Sequence, residues 1–350
     1  MQQIDYLVII LKISFWTIIS FLVSLIIFPI IIKLLEKLNA RKIINKDNAP
    51  IFQSLHSKKS GIPTMGGIIF WLIPLIFLIF ILIYKNISPE FVNWISFIDR
   101  RETYLPLGFL ILGGVIGFID DILGIISQKR KKGLTIKEKI IVYFSLSLLI
   151  VWWFVAKLNI RYLYFPFIER IYVGILLYSL FVILYVIAVS FSANETDGLD
   201  GLLGGIAIII IGALAIISFI NGNYNLVVLS IIIIGTLLCF LWFNIYPAKI
   251  FMGDTGSMAI GSYIAIVSLL EGVYFLIPIL APIFVLESGS VVIQLASKKL
   301  FKKKIFLSTP IHHHFEALNI PEPTIVFKLW LINLIGAIIG LIIFILDKII

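Results

Sequence analysis

Ten apolar runs dominate the chain, near residues 7–32, 66–84, 105–124, 138–156, 172–190, 200–219, 224–243, 256–271, 274–297 and 325–346. A hydrocarbon core of about 30 Å needs roughly 20 apolar residues per crossing helix. Inside lipid every backbone polar group must find its partner within the protein, which leaves a helix as the form these runs can take. The expected fold is therefore an all-α integral membrane protein of about ten transmembrane helices, one polytopic domain over residues 1–350. Composition agrees: 61% of the 350 residues are hydrophobic and 13% charged, too little polar surface for a solvated fold. The ninth run holds Pro278, Pro282 and Glu287. Each proline removes a backbone hydrogen bond and the carboxylate needs a polar partner, so this helix is expected to be broken or strongly bent.

The opening segment MQQIDYLVIILK lacks the basic start of a signal peptide and runs on apolar to about Pro29, and it reads as a retained first span. Cys239, the single cysteine, lies inside an apolar run and suits a core position. The segment 162–170, YLYFPFIER, has the pattern of a small hairpin.

The formal net charge of +9 raises the question of nucleic acid, but the basic residues fall between the apolar runs, where topology accounts for them. Loop 39–65 carries Arg41, Lys42, Lys46, Lys58 and Lys59; loop 125–137 carries Lys129, Arg130, Lys131, Lys132 and Lys137; loop 298–324 carries Lys298, Lys299, Lys302, Lys303 and Lys304. The opposite loops are sparser. The positive-inside rule then sets the rich loops in the cytoplasm and both termini outside, with no nucleic-acid partner. On that topology NETDGLDGL at 194–202, IDDILG at 119–124, FMGDTGS at 251–257 and TPIHHHFE at 309–316 all reach the cytoplasmic face.

Carboxylates so close to lipid are costly and tend to hold something. Asn194, Asp197 and Asp200, spaced by three, would share one face if the segment is helical, while a single acid there would be explained by capping the next helix. Asp120 and Asp121 point about 100° apart on a helix, so one would serve chemistry while the other orients a neighbour or meets a lysine. GDTGS at 253–257 offers amides and hydroxyls for phosphate and Asp254 for a hard cation, or an ordinary helix cap. His312, His313 and His314 lack the i, i+4 spacing of a helical zinc pair and suit phosphate binding or proton transfer. Lys129 to Lys132 serve as a topology signal, contact lipid headgroups or neutralise a diphosphate. Together the parts suit phosphoryl transfer, where positioning and charge neutralisation do most of the work.

GIPTMGG at 61–67, GFIDDILG at 117–124, NETDGLDGL, FNIYPAKIFMGDTGSMAIG at 243–261, LESGSVVIQ at 286–294 and PIHHHFE at 310–316 resemble, in order, the motifs of the phospho-N-acetylmuramoyl-pentapeptide-transferase (MraY) family. The resemblance runs in order over about residues 55–330, and that family likewise has ten spans. It implies an enzyme of the bacterial inner membrane that is multi-pass, with a cytoplasmic active site. The implied reaction carries phospho-MurNAc-pentapeptide from UDP-MurNAc-pentapeptide to undecaprenyl phosphate, giving lipid I and UMP, with Mg²⁺ as cofactor; a homodimer is also implied. By the same resemblance Asp254 matches the magnesium ligand, and Asp120, Asp121, Asp254 and His313 the catalytic group. Asn194, Asp197, Asp200, Asn244, Gln294, Lys132, His312 and His314 match substrate-binding positions.

Two departures stand out. Glu195 adds a charge within NETDGLDGL, and Ile122, Leu123, Gly124 follow the aspartate doublet where many members carry a base. The nearest alternative reaction is N-acetylglucosamine 1-phosphate transfer to a polyprenyl phosphate, which PIHHHFE argues against. A transporter is the alternative of another class, but its site belongs near mid-membrane rather than at one boundary.

Overall fold

In the computed structural model, residues 2–41, 59, 61–100, 102–126 and 134–350 are described. The helices are α1 Gln2–Lys37, α2 Ile69–Tyr84, α3 Pro89–Ile95, α4 Tyr104–Ile126, α5 Ile136–Trp152, α6 Gly174–Thr196, α7 Leu202–Ile220, α8 Tyr224–Asn244, α9 Asp254–Leu270, α10 Ile277–Leu280, α11 Pro282–Leu300, α12 Ile311–Ala317 and α13 Glu322–Ile349. Among the described residues eight helices are long and apolar enough to cross a membrane. The other two expected spans fall on the shorter α9 and on the α10–α11 pair, so each of the ten apolar runs lies on helix.

The ninth run is broken where its prolines foretold. Ala281 leaves helical geometry (φ −131°, ψ 57°), and Pro282, which has no N–H to give, starts α11. Strands β1 Tyr162–Phe165 and β2 Ile168–Tyr172 form the expected hairpin. It is pinned to the bundle by Phe165 stacked at 4.0 Å on Phe275, in the turn before α10, and by the Tyr164 hydroxyl, which donates to Asp347 near the end of α13.

Helix α9 is the centre of the bundle, buried from Thr255 to Leu269. It packs on α4, α6 and α7, while α1 lies along α8. Outward-facing residues such as Ile26, Leu176, Phe327 and Ile335 are exposed, as expected where the solvent is lipid. Glycines let α4 meet α9 closely. A Cβ on Gly113 would come within 2.8 Å of the Met258 carbonyl and the Ser262 hydroxyl, and one on Gly117 within 2.7 Å of the Thr255 nitrogen. The two glycines are one turn apart, a small-residue seam of the kind that joins membrane helices. Its effect is to set Asp120 and Asp121 beside the start of α9.

Candidate functional site

The start of α9 is fixed from two sides, by residues 63–67 and by Asp121. Segment 63–67 of GIPTMGG runs along FMG at 251–253: Phe251 N donates to the Pro63 carbonyl, Gly66 N to Phe251 and Gly67 N to Met252, each at 2.9 Å. Gly67 lies against Gly256, with no room for a Cβ between them. Asp121 then caps α9, accepting from Asp254 N (3.2 Å), Thr255 N (2.9 Å) and the Thr255 hydroxyl (2.7 Å). This holds the first turn and shields its free amides.

Its neighbour Asp120 points elsewhere, as adjacent helical residues must. It is 1% exposed and accepts from Leu134 N. Its Oδ2 lies 3.3 Å from the Lys139 ammonium. Lys139 also meets Asp254 Oδ2 at 2.7 Å and donates to Asn194 Oδ1 at 3.3 Å. Asn194 in turn donates to Asp254 Oδ1 (2.5 Å) and to the Ser257 hydroxyl (2.9 Å). The structure therefore unites Asp120, Asp254 and Asn194, from α4, α9 and α6, around one ammonium. The Asp254 side chain keeps 21% of its surface exposed, so the cluster opens outward.

The ammonium of the cluster comes from Lys139 rather than from the expected lysine run at 129–132. A signal did exist. Thr135 and Glu138 form a capping box, with Thr135 N donating to Glu138 Oε2 at 2.6 Å, which starts α5 at residue 136 and puts Lys139 in its first turn. Lys132 lies outside the described residues.

The expected row of Asn194, Asp197 and Asp200 does not form. Helix α6 ends at Thr196, and Gly201 takes the left-handed backbone (φ 81°) as the chain turns into α7. The one-face argument needed a continuous helix and so fails. Asp197 stands at the helix end, and Asp200 faces a second cluster: it accepts from Ala248 N (3.0 Å) and pairs with Lys59 (2.6 Å). Lys59 also pairs with Glu322 at 2.5 Å, whose carboxylate accepts from Asp200 N at 2.7 Å. Burial lowers the Lys59 pKa and its two carboxylates raise it, with the net direction upward. Lys59 and Glu322 were also unforeseen, separated as they are by most of the chain.

Asn244 is buried and acts as a bracket, accepting from Gly201 N (2.9 Å) and donating to the Ile250 carbonyl (2.8 Å). Gln294 spends its amide on the loop after α11, donating to the Phe306 carbonyl (2.9 Å) and accepting from Ile305 N (2.9 Å) and Phe306 N (3.1 Å). Both expected pocket residues therefore bind backbone.

The three histidines separate by role. His312 is fully buried, with Nδ1 2.8 Å from Glu287 of α11 and its ring edge against Gly198, where a side chain would collide with it. Burial disfavours the charged ring, but Glu287, with Glu316 and Glu195, outweighs it, so the His312 pKa stands above its ordinary 6.5. His313 meets Glu316 at 2.6 Å, and His314 Nδ1 accepts from Leu307 N at 3.3 Å. Glu287, the acid that required a break in the ninth span, is thus the anchor of the histidine helix. Among the described residues no three His, Cys, Asp or Glu side chains form a metal cage. The donors present, two carboxylates and an amide oxygen, suit a cation that completes its shell with water and substrate phosphate, as Mg²⁺ does.

Residues 104–271, which run from α4 through α9 and carry Asp120, Lys139, Asn194 and Asp254, match the model of glycosyl transferase family 4. The chain is 38% identical to the phospho-N-acetylmuramoyl-pentapeptide-transferase of Borreliella burgdorferi (strain ATCC 35210 / DSM 4680 / CIP 102532 / B31), over 94% of each chain. It is 38% identical to the protein of that name from Borreliella afzelii, again over 94% of both, and 34% identical to that of Anoxybacillus flavithermus, over 92% of this chain and 94% of the relative. Similarity at this level along nearly the whole length places the chain in the phospho-N-acetylmuramoyl-pentapeptide-transferase family.

Proposed function

We propose that the protein transfers phospho-MurNAc-pentapeptide from UDP-MurNAc-pentapeptide to undecaprenyl phosphate, yielding lipid I and UMP. The observation that carries this reading is the Asp120–Lys139–Asp254–Asn194 cluster at one end of an apolar bundle, in a chain of this family. A site at that depth can meet a water-soluble nucleotide from one side and a lipid phosphate from the other.

An oxygen of the lipid phosphate attacks the phosphorus that bears the sugar. The bond from that phosphorus to the bridging oxygen breaks, and UMP leaves with the oxygen. Asp120, whose Oδ2 lies 3.3 Å from the Lys139 ammonium, orients the acceptor phosphate and takes its proton if it arrives protonated. The Lys139 ammonium lies between carboxylates that would otherwise repel an anionic substrate, and it neutralises charge spread over the phosphoryl oxygens. Asp121 keeps the first turn of α9 and its amides in place. Asp254, with the Asn194 oxygen, would hold Mg²⁺, which supplies charge neutralisation at the diphosphate when bound.

The reading places the enzyme in the bacterial inner membrane as a homodimer, with this cluster facing the cytoplasm and both termini outside; the lysine-rich loops support that orientation. Purified protein supplied with undecaprenyl phosphate and Mg²⁺ is expected to release UMP from UDP-MurNAc-pentapeptide and not from UDP-N-acetylglucosamine. Release only from the second donor would keep the chemistry and refute the substrate.

A further inference from the structure

The stretch from Lys298 to Leu307 takes no part in the carboxylate cluster, yet it is shaped with some care. It carries Lys298, Lys299, Lys302, Lys303 and Lys304, with no acidic residue before Thr309. Between and after the lysines stand large apolar side chains turned outward: Leu300 and Phe301 are each 70% exposed and Ile305 58%. The backbone beneath them is held. The buried Ser297 hydroxyl donates to the Lys303 carbonyl at 2.9 Å, and the buried Gln294 amide binds the backbone of Ile305 and Phe306 on both its oxygen and nitrogen. Two buried polar side chains thus fix a stretch whose side chains from Lys298 to Leu307 are exposed, except the half-buried Phe306.

The composition of that outward face selects its occupant. A soluble acidic partner would account for the lysines but leaves Leu300, Phe301 and Ile305 in water, and plain lipid tails would account for the apolar groups but not for five cations. Anionic phospholipid at the membrane boundary satisfies both, with headgroup phosphates on the ammonium groups and apolar side chains among the upper acyl carbons. The stretch begins in the last turn of α11 and lies at the same end of the bundle as the histidine helix, since Leu307 N donates to His314 and the Phe306 ring meets His314 edge-on. We propose that residues 298–307 form a docking surface for anionic phospholipid headgroups, seated in the membrane interface and joined to the histidine helix through Leu307. The inference does not depend on which reaction the protein catalyses.

The test places a reporter on the loop. Phe301→Cys, in a background where the buried Cys239 is changed to Ala, is labelled with an environment-sensitive fluorophore, and the protein is set in nanodiscs of phosphatidylcholine alone or mixed with phosphatidylglycerol. A blue shift and stronger quenching by spin-labelled lipid are expected when phosphatidylglycerol is present, both lost when the five lysines are changed to Gln. Millimolar inorganic phosphate should leave the shift in place. Equal emission in the two lipid mixtures, a shift that survives the loss of the lysines, or reversal by free phosphate would each overturn the proposal. The comparison of lipid mixtures keeps all five lysines, so it decides the matter even if the Gln variant fails to fold.

Discussion

Glu271 and Asp254 mark opposite ends of α9, a 17-residue helix and so about 25 Å apart. Both are acids in an apolar bundle, and they are treated differently. Glu271 receives the Ser218 hydroxyl (2.6 Å), the Asn221 amide (2.6 Å) and the Asn223 amide (3.0 Å and 3.2 Å). Its donors are neutral and its oxygens filled; it ties the turn between α7 and α8 to the end of α9. At the other end the partner is a cation shared between Asp120 and Asp254, and Asp254 keeps part of its surface open. A buried acid therefore says little about function until its remaining valences are known.

Three substitutions sharpen that contrast. Lys139→Gln keeps a polar side chain but removes the charge between Asp120 and Asp254. Turnover measured as UMP release is expected to fall roughly 10²- to 10³-fold, the scale of losing a preorganised charge partner, and near wild-type turnover would remove Lys139 from the site.

Glu287→Gln acts on the histidine helix. Because the His312 pKa is raised in the folded protein, the charged pair contributes its full stability below the ordinary value of 6.5 and loses it as pH rises through the raised value. The variant should lose about 1–3 kcal/mol at pH 6, read as a lower unfolding temperature in detergent, with the gap to wild type narrowing as pH climbs. A gap that widens with pH would contradict the protonated pair.

Glu271→Gln should have the smallest effect on chemistry, leaving UMP release within about twofold while lowering stability by about 1–2 kcal/mol through one lost acceptor. A large fall in turnover with unchanged stability would show that the two ends of α9 are not separate in function.

Much of the architecture was legible because its signals are local. Apolar runs of helical length, Pro282 after Ala281 and the YLYFPFIER hairpin each act within a few residues. The divergence of Asp120 from Asp121 was also foreseeable from helical geometry. What stayed hidden depends on contacts between distant segments. Lys139 meets Asp254 across 115 positions and Lys59 meets Glu322 across 263, and no spacing rule reaches so far. The reading of Asn194, Asp197 and Asp200 as one face failed at a single point, the end of α6 at Thr196. Asn244 and Gln294 carry polar groups suited to a ligand, and the hydrogen bonds by which they also hold nearby backbone could not be read from the sequence.

The decisive measurement is UMP release from UDP-MurNAc-pentapeptide as a function of Mg²⁺ concentration, for the wild type, Asp254→Asn and Glu271→Gln side by side. Asp254→Asn is expected to lose activity at every Mg²⁺ concentration or to need far more of the ion, while Glu271→Gln follows the wild-type curve. An Asp254→Asn curve that overlies the wild type would contradict the assignment of the open end of α9 as the catalytic site.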